Sequence, residues 1–342
     1  RAGRRRVERE QVELLAELGV DGVEIELPLA SLTRVEIIDT PRERPPRPFQ
    51  IDKLTSIPFF LVHIAAIASA IWIGATTTDI IVCVALYYIR MFGITAGFHR
   101  YFSHRAYKTS RWFQFVLAVI GGASMQKGVL WWAAHHRNHH KFSDMSEDIH
   151  SPKQDGFYWS HVGWILSNDY DHTEWDRIRD FAKYPELRWL NRWHWAPALV
   201  GGAILYAIGG IHWFVWGGLV SSVLLWHGTF FINSLAHVWG SRRYPTTDTS
   251  RNNFWLALIT MGEGWHNNHH YYQSTANQGF FWWEVDCSYY ILKMLSWVGV
   301  VWDLRTPPAH ILAGKEPVSD AVSEVVSEAI SPPVPPAALP TA

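Results

Sequence analysis

The sequence has only two cysteines in 342 residues, Cys83 and Cys287, and they lie far apart. Two thiols cannot build a cysteine-based zinc site or an iron–sulfur cluster. Cys83 sits inside an apolar run, which gives a disulfide to Cys287 little support. An excess of either charge is also missing: 30 Lys and Arg against 31 Asp and Glu leave a net charge of −1. A nucleic-acid partner therefore finds no electrostatic footprint. The first residues, Arg-Ala-Gly-Arg-Arg-Arg, run into polar sequence and not into an apolar core, so no secretory signal is expected.

Tryptophan and histidine are abundant, at 20 and 18 residues. Tryptophan favours membrane–water interfaces, where its ring is apolar and its N–H stays wet. Histidine is the commonest neutral metal ligand near pH 7. Residues 1–53 are polar, with a Pro-rich stretch from Pro41 to Pro48 and a weak amphipathic pattern at Val12, Leu14, Leu15 and Leu18. They read as a solvated tail with a surface helix.

Long apolar segments follow, at about 54–74, 80–98, 193–211 and 213–232. Each approaches the ~20 residues a bilayer crossing needs. The connectors Ala75-Thr-Thr-Thr-Asp79 and Gly209-Gly-Ile-His212 contain no Lys or Arg, whereas residues 1–53 and 99–192 are rich in both. The positive-inside rule then places both termini and the central region in the cytosol. Trp112–Met125 is too short to cross and reads as an interfacial or buried helix. A crossing there would also put His99–His104 and His136–His140 on opposite sides. The expected fold is an all-α integral membrane protein: four transmembrane helices in two hairpins, residues 54–305, under a cytosolic helical cap. Residues 306–342, rich in Pro and Ala, read as a disordered tail with one short amphipathic helix near Val318–Ala329. Arg90 lies midway along the second span, where charge is expensive, and should pair within the bundle or line a polar cavity.

Four clusters carry the chemistry: His99-Arg-Tyr-Phe-Ser-His104, His136-Arg-Asn-His139-His140, Asn233-Ser-Leu-Ala-His237 and His266-Asn-Asn-His269-His270. In HxxHH, residues i, i+3 and i+4 share one helical face, so three imidazoles point the same way. Asn233 and His237 share a face for the same reason. His99 and His104 are about 140° apart on an ideal helix, and so suit a place where the helix ends and the chain bends. Each cluster abuts the end of an apolar segment or a Trp-rich stretch. Nine imidazoles exceed the needs of one metal and suit two. Nitrogen ligands in that number favour iron, although ligand type alone also admits zinc or copper. His135 precedes the second cluster out of phase with its face. His63, His161, His172, His194, His212, His227 and His310 read as ordinary satisfied polar residues.

These clusters resemble those of the membrane fatty-acid desaturases, and of the acyl-CoA Δ9 (stearoyl-CoA) desaturases in particular. The resemblance rests on Gly93-Ile-Thr-Ala-Gly-Phe-His99, His136–Ser143, Phe157-Tyr-Trp-Ser-His-Val-Gly-Trp164, Asn233–His237 and Gly262-Glu-Gly-Trp-His266, and covers roughly residues 55–305. Phe281-Trp-Trp-Glu284 resembles a pattern of bacterial forms, which points to a bacterial inner membrane. The resemblance implies two irons held by His99, His104, His136, His139, His140, His237, His266, His269 and His270, with Asn233 acting through a water. It implies an acyl tunnel bent by Gln126, Trp132 and Thr229, with Tyr87 and Met91 on its floor. Met91 would then limit chain length, or would serve helix packing alone. Where animal members carry Arg-Asp before the second cluster this chain has Ala134-His135, and Gln154-Asp155 replaces a basic pair. The acyl carrier is thus open between CoA, a lipid and a carrier protein.

The implied reaction takes O2 and two electrons, removes two vicinal hydrogens and leaves a cis alkene at the 9,10 position. Side chains alone cannot oxidise an unactivated methylene. No bound flavin or haem is expected, and nothing in the chain resembles a cytochrome or ferredoxin. An external ferredoxin, cytochrome or flavin reductase must supply the electrons. Arg137, Lys141, Lys127 and Lys153 could dock an acidic donor or face anionic lipid. A membrane diiron hydroxylase would share such clusters in another order, and a metal transporter would place its ligands within the spans.

Overall fold

The computed structural model describes residues 52–313. The expected surface helix near Val12 and the C-terminal helix near Val318 lie outside the described residues. Helix α1, Ile57–Ile73, starts with Pro58 in its first turn and ends at Gly74 in the left-handed region, φ 68°. Helix α2, Thr77–Phe92, is capped by Thr76, whose hydroxyl accepts from the Asp79 N–H while the Asp79 carboxylate accepts from the Thr76 N–H. The last three residues of the sequence-predicted connector are therefore the first turn of the helix.

Beyond Phe92 the helix does not stop. It widens into a π-helical stretch, Gly93–Ser103, buried along its whole length. Helix α3, Arg111–Gly122, packs on it so closely that a Cβ on Gly93 would sit 2.5 Å from the Gly121 nitrogen. α3, expected to be interfacial or buried, encloses Gln114, Leu117, Ala118, Gly121 and Gly122 and leaves Arg111 and Trp112 exposed. Helix α4, Val129–Phe142, follows, then α5, Pro185–Arg192.

Helix α6, Ala196–Trp213, runs to Gly210, where φ 60° and ψ −152° break the helical path. Only glycine adopts that pair cheaply. A π-helical segment, Phe214–Val220, then leads into α7, Ser221–Asn233, and a short α8, Leu235–Val238. A Cβ on Gly202 would meet the Phe214 ring at 3.3 Å, so the chain has folded back on α6. The remaining elements used below are α9, Phe254–Ile259, α10, His266–Tyr271, and α11, Cys287–Trp297. Strand β1, Lys108–Thr109, pairs antiparallel with β2, Val301–Trp302, and ties the end of the π stretch to the C-terminal region.

Two segments, Thr77–Ser103 and Ala196–Val238, are long and apolar enough to cross a membrane; Ile57–Ile73 and Arg111–Gly122 are shorter apolar helices. No residue of α6 is buried, and α1 exposes Phe60, Leu61, Ile64, Ile67, Ile71 and Trp72. Outward apolar faces of this extent belong against lipid. The packed fold also runs past residue 305, contrary to the sequence expectation. Ile311 is buried with Tyr244 and Phe280, and its carbonyl accepts from the Tyr244 hydroxyl at 3.0 Å. Cys83 and Cys287 are free thiols.

Arg90 is buried and fully engaged without a carboxylate. Its guanidinium donates to the Ser221 and Ser222 hydroxyls, both at 2.6 Å, to the Gly217 carbonyl at 3.1 Å and to Leu86 at 3.1 Å. It therefore pins α2 to the start of α7. Removing either hydroxyl, as Ser221→Ala or Ser222→Ala, should cost about 1–3 kcal/mol, because a buried charge loses an acceptor. The readout is a lowered melting temperature in detergent. Adding Arg90→Met should restore most of the loss, and unchanged melting in the single variants would refute the pin.

Candidate metal centre

The π-helical winding solves the spacing problem at His99 and His104. Five residues apart, they diverge on an α-helix. In a π-helix residue i+5 lies above residue i, and the His104 N–H donates to the His99 carbonyl at 3.2 Å. The rings meet edge to face at 4.8 Å. The chain therefore widens at this point, where the sequence suggested a helix end and a bend. On α4, His136, His139 and His140 share one face, as their spacing predicts; His266, His269 and His270 do so on α10, and α8 supplies His237.

The nine rings fall into two groups, His99, His104, His136, His140 and His269, and His139, His237, His266 and His270, with ligand nitrogens in each group within 4.8 Å of one another. Nε2 of His269 lies 3.0 Å from Nε2 of His99 and 2.9 Å from Nε2 of His140. His104 and His136 meet through Nε2 at 3.0 Å, and His237 and His266 at 3.1 Å. On three rings the opposite nitrogen is held by a carboxylate. His99 Nδ1 is 2.5 Å from Glu263, His139 Nδ1 3.0 Å from Asp148 and His270 Nδ1 2.7 Å from Asp248. His237 Nδ1 contacts the Thr249 hydroxyl at 3.2 Å, and that hydroxyl donates to Asp144 at 2.7 Å. Gln278 reaches Nδ1 of both His99 and His269.

This arrangement fits metal. A ring that donates its Nδ1 proton to a carboxylate carries a lone pair on Nε2. His99, His139 and His270 thus turn lone pairs toward their groups, where the ring nitrogens lie close enough to share either protons or a cation. The buried Nε2 of His270 has no hydrogen-bond partner at all. Burial, then neighbouring imidazoles, pushes His104, His136, His140, His266 and His269 well below the usual histidine value, so they are neutral and ready to ligate. Burial would raise the Asp248 carboxyl, but the adjacent His270 ring holds it far down, and His237 acts likewise on Asp144. Each carboxylate is thus ionised and able to orient a ring.

A cavity of about 370 Å³ reaches this centre from one side. Phe59, Val62, Trp132, Trp226 and Phe230 make its wall apolar, and His136 and Asn233 lie on its lining. Asn233 closes α7, and its backbone carbonyl accepts from the Ser160 hydroxyl at 2.6 Å. Gln126 and Thr229 also line the cavity, joined by an amide-to-hydroxyl hydrogen bond of 2.9 Å. Met125 and Lys127 flank Gln126 at φ 58° and 63°, a strained turn for side-chain-bearing residues. Trp132 stacks on His136 at 4.9 Å. Tyr87 and Met91 do share a helix face, but that face closes on Gly228 of α7, and neither residue lines this cavity. A second cavity, polar and about 200 Å³, borders His140 and His270.

His135 stays outside both groups. It bonds the Trp131 carbonyl at 2.9 Å and stacks on that indole. His63, His227 and His161 form a hydrogen-bonded chain of imidazoles, at 3.2 and 3.0 Å. Arg137 is not a free docking residue: it grips Asp180 through two bonds and also the Phe102 and Ser103 carbonyls, clamping α4 to the π stretch. Lys127 pairs with Asp171 at 2.6 Å, while Lys141 and Lys153 are exposed. Sequence reasoning missed the carboxylates and His150, whose ring packs 4.3 Å from His139 and which burial, then His139, lowers to about 3. The acidic residues of Asp144-Met-Ser-Glu-Asp148, just after the second cluster, were the available signal.

The sequence model of one protein family, described as fatty acid desaturase, matches residues 75–286. Among curated relatives, the acyl-CoA C20 Delta5-desaturase of Anemone leveillei is 37% identical over 66% of this chain and 73% of its own length. The sn-1 stearoyl-lipid 9-desaturase of Synechocystis is 39% identical over 65% of this chain and 70% of its own length. The chloroplastic palmitoyl-monogalactosyldiacylglycerol delta-7 desaturase of Arabidopsis thaliana is 37% identical over 64% and 59%.

The lowered histidines set a pH dependence. Unfolded, these rings would titrate near about 6.5. Below that value the unfolded chain binds more protons than the folded one, so stability falls as pH falls. Each ring contributes at most about 1.4 kcal/mol per pH unit; His139, raised by Asp148 against the effect of burial, offsets one of them. Metal-free protein should therefore lose melting temperature steadily from pH 7.5 to 5.5. A flat profile would count against neutral, buried imidazoles.

Proposed function

The chain belongs to the fatty acid desaturase family, and from that premise we propose that it introduces a cis double bond at the 9,10 position of a saturated acyl chain. One observation carries the reading: a cavity of about 370 Å³ with a largely apolar wall ends at His136 and Asn233, against a cluster of nine imidazoles, six of them buried and three half-buried. A cavity of that size is in the range of lipid-like ligand sites, and the family generally pairs such clusters with two irons and O2. His99, His104, His136, His140 and His269 would hold one iron, and His139, His237, His266 and His270 the other, with Asn233 acting through a water. Iron so bound would activate O2 with two electrons, which supplies an oxidant for an unactivated methylene.

The protein's own residues position and protect. Glu263, Asp148 and Asp248 orient rings through their Nδ1 atoms. The Gln126–Thr229 bond and the Trp132 ring would bend the chain where it passes His136, which fixes the carbons that react. The apolar wall excludes water. Overall, one substrate chain, O2, two electrons and two protons yield the alkene and two waters. The electrons come from an external donor, for which exposed Lys141 and Lys153 remain the docking candidates.

We read the protein as crossing a membrane four times in two hairpins. The reversal at Gly210 and the outward apolar faces of α1 and α6 support this. The Lys- and Arg-free connectors support termini and cap on the cytosolic side, and the Phe281-Trp-Trp-Glu284 pattern supports a bacterial inner membrane. The relatives named above act on CoA and on lipid substrates, so the carrier of the chain is a thioester or an ester. Membranes holding the iron-loaded protein, given stearoyl-CoA or stearoyl-lipid with O2 and a reductase system, should produce an 18-carbon cis-9 alkene by mass spectrometry. A solely hydroxylated product would overturn the proposal, as would fewer than two irons per active chain.

A further inference from the structure

Five tryptophans are buried: Trp131, Trp159, Trp164, Trp226 and Trp265. Four of them donate the indole N–H to a backbone carbonyl, of Tyr170, Ile149, Ser124 and Val285 respectively, at 2.6 to 3.0 Å. Trp164 does not. Its Nε1 is buried and unpartnered, and Trp164 lines the apolar cavity. Two further unpartnered buried nitrogens belong to the same lining, Nδ1 of His150 and Nε2 of His135. The rings form one wall. His150 lies 5.0 Å from Trp164, Trp164 stacks on Trp131 at 5.8 Å, and Trp131 stacks on His135 at 4.4 Å.

A buried donor or acceptor left without a partner destabilises the fold. Three unpartnered polar atoms on residues of one cavity lining, two of them able to donate, mark the place where a polar atom of a ligand belongs. An indole N–H can only donate, and His150 donates from Nδ1 in one of its tautomers. His135 has spent its Nδ1 proton on the Trp131 carbonyl, so its Nε2 accepts, as from a water solvating the ligand. Within a hydrocarbon ligand, the atom that two donors fit is a carbonyl oxygen.

We propose that Trp164 Nε1 and His150 Nδ1 bind the carbonyl oxygen of the acyl ester or thioester, and so set the carbon count between that carbonyl and the metal centre. This rests on the acyl-desaturase reading and adds to it the atom from which the enzyme measures. A chain anchored at its carbonyl is cut at a fixed distance from the carboxyl end whatever its total length. The carbonyl is common to CoA thioesters and lipid esters, and the wall recognises either.

The test removes the carbonyl from the ligand and the N–H from the protein. Binding to metal-free protein in detergent is measured by calorimetry for stearoyl-CoA against S-octadecyl-CoA, its thioether. The same is done for distearoyl-phosphatidylglycerol against its dioctadecyl ether. The pair that shows discrimination identifies the carrier. Wild type should prefer the carbonyl form about five- to tenfold, the worth of one or two net hydrogen bonds. Trp164→Phe keeps the ring and should bring the ratio toward one. In the iron-loaded enzyme, wild type should desaturate 16- and 18-carbon chains at the same position from the carboxyl end, and Trp164→Phe should give mixed positions. Equal wild-type affinity for carbonyl and ether forms would assign the wall to water and overturn the proposal, even if Trp164→Phe failed to fold. Absence of alkene from wild type with every substrate would instead strike the desaturase reading itself.

Discussion

Convergent imidazole lone pairs are the constraint on which the rest of the structure depends. Ring nitrogens stand about 3 Å apart at four contacts, deep in the protein. At that spacing neutral rings either share a proton or hold a cation between them, and doubly protonated rings would repel. The interior meets this with acid. Glu263, Asp148 and Asp248 each hold a ring from behind, so protons are drawn outward and lone pairs are left inward. The arrangement favours a metal by making its absence uncomfortable.

The acids in turn need holding. Glu263 accepts from Arg100 while it orients His99, and Arg100, entirely buried, also binds Asp286 at 2.9 Å. Asp286 caps α11 and receives the Gln278 N–H. The π stretch, the turn before α10 and the start of α11 are thereby tied through one ion cluster. Breaking any member would leave a buried charge unpaired. Arg137 performs the matching task on α4 through Asp180. Arg137, a docking candidate in the sequence, is a strut, and so is Arg100.

The two cavities divide the centre by polarity. The apolar one meets it at His136 and Asn233, and the polar one at His140 and His270. A hydrocarbon chain and polar reactants can thus approach from different sides without sharing a path. Gln126, set between two left-handed residues, and Thr229 lie on the apolar side and pin its shape by a single hydrogen bond. The backbone strain at Met125 and Lys127 is placed where a bend would be used.

The apolar runs, the HxxHH spacings and the connector glycines made the helices, the faces of α4 and α10 and the reversal at Gly210 legible in the sequence. These follow from local periodicity and local dihedral freedom, which depend only on neighbouring residues. The widening of α2 was not legible, because the choice between α and π winding at His99–His104 depends on the close packing of α3 at Gly121 and on partners from distant segments. Nor were the carboxylates behind the rings, since Asp248 and Glu263 are ordinary acids until folding sets them against His270 and His99. Met91 shows the same limit: its spacing from Tyr87 gave the face correctly, and only packing against Gly228 decided what that face meets. The sequence by itself determined the nitrogen donors, because spacing along a helix fixes which side chains point together. The tertiary structure alone decided which ring nitrogens meet, which acids hold them and where the apolar-walled cavity ends, because those are distances between residues that the chain brings together only on folding.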